Sequence, residues 1–259
     1  MASSKIVEVQ DRPDLYDWQY DHTDDVRMYH DLAERHDILL ECGIGTGRVA
    51  IPLAKSGKTV YGIDNSRHML DHLEKKLSML PDVYERVKCV EADMRDFNLE
   101  QQFSFIYVPF STFNYLLTIE DQRKALGAIR KHLTDDGILV LEILSFSFHP
   151  RWLDNTRHIE EIKKGPFPET EEEVHLQAVT EFDSSTQIVV ETRFFSFFDQ
   201  NGNLTGTEKV VWRNRYFPIG EMRLLLESCG FALDALYGDW KMGEYCHESE
   251  FAVLIAKPK

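Results

Sequence analysis

Three glycines at alternate positions, Gly43, Gly45 and Gly47 in LLECGIGTGRVAIPLA, stand between an apolar run carrying Glu41 and a helical pattern that begins at Arg48. Such a segment reads as a strand, a tight turn and a helix N-terminus, where backbone N–H groups can approach a bound ligand. A dinucleotide loop of the form G-x-G-x-x-G needs glycine where Arg48 stands, and a triphosphate loop needs a Gly-Lys-Ser/Thr that does not follow. What remains is a ligand with a nucleoside but no pyrophosphate, its amino-acid part lying against the loop. Two further acids suit it. Asp64 closes TVYGID, where a carboxylate can accept two hydrogen bonds from ribose hydroxyls, and Asp93 in VEADMRDF, beside Met94, can meet the edge of an adenine.

The elements that must position these residues alternate. From about residue 36 to 144, DILLEC, TVYGID, VKCVEAD, FSFIYVPF and GILVLEIL read as strands, with helices from Arg48, over SRHMLDHLEKKLSML and from Ile119 to Leu133 between them. This is the pattern of βαβ crossovers and a parallel sheet covered on both faces. Thr118 or Asp121 is expected to cap the last helix and Gly137 to end it. The three acids then fall at the carboxyl ends of successive strands, the ligand-binding edge of an open α/β sheet.

After Leu144 the pattern changes. Past SFSFHPRWL and the charged EEIKKGPFPETEEE, three alternating runs, VHLQAVTEF, QIVVETRFFSFF and TEKVVWRNRYF, are separated by DSST and DQNGN, which predicts antiparallel strands with a hairpin at Asn201-Gly202. A helix from Pro218 and two antiparallel strands, FALDALYG and EFAVLIAK, resume the first pattern. The expected organisation is an N-terminal lid segment, 1–35, an α/β domain, 36–145 with 216–259, and an inserted antiparallel cap over the substrate site, 146–215.

Composition narrows the partners. The 259 residues, 43% hydrophobic, can bury one large core, and the formal charge of -15 disfavours nucleic acid and an anionic membrane surface. The N-terminal residues lack a signal-peptide pattern and no apolar run is long enough to span a bilayer, so the expectation is a cytoplasmic protein with a small-molecule partner. Cys42, Cys89, Cys229 and Cys246 lie far apart without metal-ligand spacing; they are expected reduced and mostly buried, with no metal site. Nothing in the sequence fixes an oligomeric state.

Across residues 36–144 the glycine loop, GIDNS, VEADMRDF and FSFIYVPFSTFNYL together resemble the class I S-adenosylmethionine-dependent methyltransferases. The resemblance implies a doubly wound, seven-stranded, Rossmann-like α/β sheet with S-adenosylmethionine as cofactor. It implies a cofactor-binding set of Tyr16, Glu41, Gly43, Gly45, Gly47, Arg48, Asp64, Asn65, Met69, Asp93, Met94 and Pro109. The segment DLYDWQYDHTDDVRMYHDLAERH, with Tyr16 and Tyr20, looks like the lid of small-molecule members. FSTFNYL lacks both the acid of magnesium-dependent catechol methylation and the Asp/Asn-Pro-Pro-Tyr of nucleobase or glutamine methylation.

Methyl transfer from a sulfonium is an in-line displacement, so the protein contributes orientation, exclusion of water and, where needed, a proton acceptor. His149, after the fifth strand, is the candidate base, with Tyr20 and Tyr115 as hydroxyl partners. Tyr20, Asn114, Arg151 and Arg215 are the candidate substrate contacts, Arg151 and Arg215 as guanidinium forks for a carboxylate. Aromatic residues favour an amine nitrogen over a hydroxyl as acceptor, since ring faces attract cationic nitrogen. The other readings are a non-catalytic cofactor-binding protein and a nucleotide-dependent oxidoreductase, the latter opposed by Arg48.

Overall fold

A computed structural model describes residues 6–145 and 159–259. In chain order they form β1 (Ile6–Val7), α1 (Pro13–Gln19), α2 (Val26–Leu32), β2 (Ile38–Cys42), α3 (Ala50–Lys55), β3 (Thr59–Asp64), α4 (Arg67–Ser78), α5 (Pro81–Tyr84), β4 (Val87–Glu91), β5 (Phe103–Val108), α6 (Ile119–His132), β6 (Leu133–Leu144), β7 (Ile159–Pro166), β8 (Glu173–Asp183), β9 (Ile188–Phe198), β10 (Leu204–Arg215), α7 (Ile219–Ser228), β11 (Phe231–Tyr237) and β12 (Phe251–Pro258). They divide into two compact units, 6–21 with 159–214 and 22–145 with 215–259. None of the helices among the described residues is long and apolar enough to cross a membrane.

The second unit is a seven-stranded sheet of order β11-β12-β6-β5-β2-β3-β4. Its first five strands in the chain pair in parallel, and β12 runs antiparallel to β6 and β11, as the short connection between the last two strands predicts. Alternate side chains enter opposite faces: Leu139, Leu141 and Ile143 of β6 join a core with α6 and α7, while Val140 joins one with α2, α3 and α4. Thr118 caps α6 by accepting from Asp121 N–H at 3.1 Å, worth about 1 kcal/mol. Gly137 does not end that helix. The helix stops at His132 and β6 begins at once, so Gly137 lies inside the strand, where a Cβ would come within 2.8 Å of Leu133 Cδ1.

The first unit is a five-stranded sheet of order β1-β10-β9-β8-β7, with β7–β8 and β8–β9 antiparallel and β1 parallel to β10. The sequence reading foresaw β8, β9 and β10 but took the residues of β7 for a charged connection; Lys163 and Lys164 stand side by side after a register shift on a sheet edge, where charge is tolerated. Leu15 and Trp18 of α1 complete this unit's core with Phe195, Phe197, Val210 and Trp212. Each sheet has its own core, so the single large core expected from composition is divided. Helix α2, grouped by the sequence with the lid, buries Met28 and Tyr29 in the α/β unit instead. All four cysteines are free, but only Cys42 is fully buried and Cys246 is exposed.

Candidate active site

The chain runs from β2 outward through β3 and β4, then returns to the other side of β2 for β5 and β6, so strand order reverses between β2 and β5. Ligands of open α/β sheets enter the crevice outside the carboxyl ends of strands at such a reversal. Here the crevice is walled by the glycine loop after β2 and the Pro109–Ser111 turn after β5.

Each glycine of the loop adopts a left-handed φ: +82° at Gly43, +53° at Gly45 and +79° at Gly47. That conformation explains why glycine recurs at alternate positions. A Cβ would meet Thr112 Cγ2 at 2.3 Å at Gly43 and Leu73 Cδ1 at 2.5 Å at Gly47, but nothing within 4 Å at Gly45. The loop is therefore closed at its two ends and open at its middle, where a ligand can approach the backbone. Asp64 orders it: Oδ2 accepts from Gly45 N–H and Oδ1 from Ser66 N–H, each at 2.9 Å. Burial raises the Asp64 pKa, and each oxygen keeps a lone pair for a ribose hydroxyl.

Beneath the loop three carboxyls are buried: Asp25 at 0% exposure and Glu41 and Glu142 at 2% each. Glu41 of β2 is paired in register with Tyr107 of β5 and accepts its hydroxyl hydrogen bond at 2.6 Å. Glu142 of β6 accepts at one oxygen from Tyr29 OH at 2.9 Å and from Phe110 N–H at 3.1 Å. Asp25, just before α2, takes both arms of Arg48, at 2.7 and 2.6 Å. Burial, opposed by the Tyr107 hydrogen bond, lifts Glu41 to about 8; burial and the Asp25 charge lift Glu142 to about 7. Three acids facing one guanidinium leave a surplus of negative charge when ionised, which suits a ligand bearing an ammonium and a sulfonium.

The turn after β5 is strained. Phe110 at φ +52° and Ser111 at +57° are consecutive non-glycine residues in the left-handed region, each costing about 1–2 kcal/mol. A hydrogen bond from a backbone N–H to a buried carboxylate is worth about 1.5–3 kcal/mol, enough to hold one of them. The Arg48 guanidinium lies 4.4 Å from the Phe110 ring centroid and donates to the His22 carbonyl. His22 packs on Phe110 at 5.6 Å and stacks on Trp240, which stacks on Phe251.

The structure brings Glu41, the three glycines, Arg48, Asp64 and Pro109 to this crevice. Asn65 is exposed beside Asp64, and Met69 is buried on α4 with its N–H donated to Ser66 Oγ. Asp93 lies past the end of β4, ion-paired with Arg95 at 2.6 Å; that guanidinium holds its carboxyl below the usual range, and Met94 packs against the core. Tyr16 and Tyr20 belong to the five-stranded unit, where Tyr20 OH accepts from Arg193 at 2.7 Å. Tyr115, on the turn after Phe110, is 39% exposed.

Two of the expected substrate contacts need correction. Asn114 is fully buried, its amide donating to the Leu144 and Arg215 carbonyls and accepting from Leu144 N–H. Arg215 is 7% exposed and engaged with Gln122 and Glu221. Both side chains fasten residues of the α/β unit, Asn114 with Leu144 and the Arg215 carbonyl, Arg215 with Gln122 and Glu221, so neither presents its polar groups to a ligand. His149 and Arg151 lie outside the described residues. The sequence reading missed Asp25, Tyr107 and Glu142, and it counted Tyr29 among the lid aromatics although that side chain is buried in the α/β unit. Glu142 carried a signal: an acid inside ILVLEIL, a run too apolar for a strand face open to water.

Residues 39–137 match a family described as a methyltransferase domain. Over 214 residues the chain is 27% identical to the putative methyltransferase YqeM of Bacillus subtilis (strain 168), covering 82% of this chain and 80% of that one. It is 30% identical over 155 residues to the dTDP-3-amino-3,4,6-trideoxy-alpha-D-glucopyranose N,N-dimethyltransferase of Streptomyces venezuelae, covering 56% of this chain and 60% of the relative. In fold it is similar to the CcbJ methyltransferase of Streptomyces caelestis, with a TM-score of 0.80 at 23% identity over 97% of this chain and 96% of that one. An open α/β sheet with a glycine loop and a buried acid at its reversal point is the arrangement in which nucleoside-cofactor enzymes hold their ligand. The chain carries a methyltransferase domain over residues 39–137 and is an S-adenosylmethionine-dependent methyltransferase.

Proposed function

We propose that this methyltransferase methylates the nitrogen of a small-molecule amine, an amino sugar being the favoured class. The observation that carries the reading is the His22–Phe110–Trp240 cluster at the crevice mouth, beside the turn after β5. Ring faces attract an amine's partial or full positive charge and exclude water from the transfer path. The 30% identity to an N,N-dimethyltransferase acting on a dTDP-linked amino sugar supports the same acceptor.

S-adenosylmethionine supplies the electrophilic methyl group. Asp64 and the open face of Gly45 would hold its ribose and amino-acid part, and the buried acids its positive charge. The amine must present a free lone pair; His22 and the half-exposed Tyr115 are the groups near the turn that can take its proton. His149, with Tyr20, stays a proposed alternative.

The test is product analysis after incubation with S-adenosylmethionine and a panel of a dTDP-linked 3-amino sugar, glycine, catechol and a simple phenol. The expected result is S-adenosylhomocysteine formation with one or two methyl groups on the amino sugar nitrogen, unaffected by a chelator. Turnover confined to catechol or phenol would replace the nitrogen reading with O-methylation.

A further inference from the structure

We propose that Glu142 is a positioning residue of the cofactor crevice, holding the Pro109–Phe110–Ser111 turn in its left-handed conformation and, through that turn, setting the glycine loop. The proposal rests on the assignment of that crevice to the cofactor.

Glu142 sits two residues inside the end of β6, and its Oε2 accepts from both the Phe110 N–H and the Tyr29 hydroxyl. Tyr29 is fully buried on α2, so the carboxyl ties a rigid helix to the most strained backbone at the site. The turn meets the glycine loop at two places. Thr112, the residue after Ser111, occupies the space a Gly43 side chain would need, and the Phe110 ring lies against Arg48, the residue after Gly47. Pro109 reinforces the bend, its carbonyl accepting from Thr112 N–H at 3.1 Å and Oγ1 at 2.8 Å. If the carboxyl is removed, the turn can relax toward ordinary φ values and Thr112 and Phe110 move with it. The loop then loses its wall although its own sequence is intact.

The role separates from simple packing by its rescue pattern. Glutamine keeps an oxygen able to accept from both donors, whereas leucine keeps the volume and removes the acceptor. Glycine at 111 adopts left-handed φ without strain, so it lowers the turn's need for a clamp.

The experiment is calorimetric titration of the full chain with S-adenosylhomocysteine, with circular dichroism and a thermal melt on each variant. Glu142→Leu is expected to weaken binding at least 30-fold and Glu142→Gln by less than about threefold. Ser111→Gly combined with Glu142→Leu should recover at least fivefold of the loss. A folded Glu142→Leu that binds within threefold of wild type overturns the proposal, as does a double variant no better than Glu142→Leu. Should Glu142→Leu not fold, the double variant decides: restored folding and binding support the role, and continued failure overturns it. The wild-type titration reads the cofactor assignment separately, and its failure would remove the ground for both.

Discussion

At the carboxyl edge of the α/β unit Asp25, Glu41 and Glu142 are at most 2% exposed, and their partners are two tyrosines, a guanidinium and a backbone N–H. In the five-stranded unit the one buried charged or polar side chain among the described residues is Arg193, stacked 3.7 Å from the Trp212 ring centroid and bonded to Gln19 and Tyr20. None of its carboxylates among the described residues is buried, and Asp199 caps the hairpin through Asn201 and Asn203 N–H. Buried charge is costly unless its partners are fixed. The α/β unit accepts that cost where loops must be held for a ligand, and the sheet unit forms its core from rings and aliphatic side chains.

The contrast can be broken most directly at its ion pairs. Arg48→Ala leaves Asp25 buried without its guanidinium and should destabilise the α/β unit by about 3–5 kcal/mol. Lys164→Ala in the sheet removes a pair with Glu173, which is 48% exposed, and should cost under about 1 kcal/mol. Chemical denaturation of both variants checks the difference, and equal losses would erase the contrast.

Two glycines sharpen it next. Gly43 and Gly202 share left-handed φ values of +82° and +79°, but only Gly43 has a side chain against it. Gly43→Ala should cost roughly 2–4 kcal/mol and abolish S-adenosylhomocysteine binding, since strain and a clash with Thr112 add. Gly202→Ala, in an open hairpin turn, should cost about 1–2 kcal/mol from strain alone. Comparable melting temperatures would show that Thr112 yields.

A further effect is graded with pH. Glu41 and Glu142 titrate near 8 and 7 in the folded protein against 4.5 ordinarily, so the folded state holds protons the unfolded chain has released. Their contribution to stability is fully present below about pH 4.5 and is lost as pH rises toward 8, by up to ~1.4 kcal/mol per pH unit for each group. The thermal midpoint should fall between pH 5 and 8, and Glu41→Gln should flatten that fall. A pH-independent midpoint in wild type would mean that both acids stay ionised. Among the smaller effects, Thr118→Ala should cost about 1 kcal/mol through loss of the α6 cap, read by the same melts.

Much of the α/β unit was legible because its signals are local. Alternating apolar runs marked the strands, and three glycines marked the left-handed turn that Asp64 fastens. The errors fell where local and distant demands compete. Asn114 and Arg215 read as polar residues free to meet a substrate, but 101 residues apart they fasten the same junction by the Asn114 amide and the Arg215 carbonyl. Strand β7 was hidden because an edge strand's charge resembles a loop's.

The sequence alone determined the parallel α/β pattern, the class of ligand its loop admits and the reason glycine stands at 43, 45 and 47, since each follows from periodicity or from backbone conformation within a few residues. Only the tertiary structure decided that Glu41, Tyr107, Glu142, Tyr29 and Asp25 share one buried network, that α1 and α2 serve different cores, and that a strained turn after β5 leans on an acid in β6. Those outcomes depend on which side chains meet between elements up to 113 residues apart, as Tyr29 and Glu142 are, and no local pattern encodes that distance.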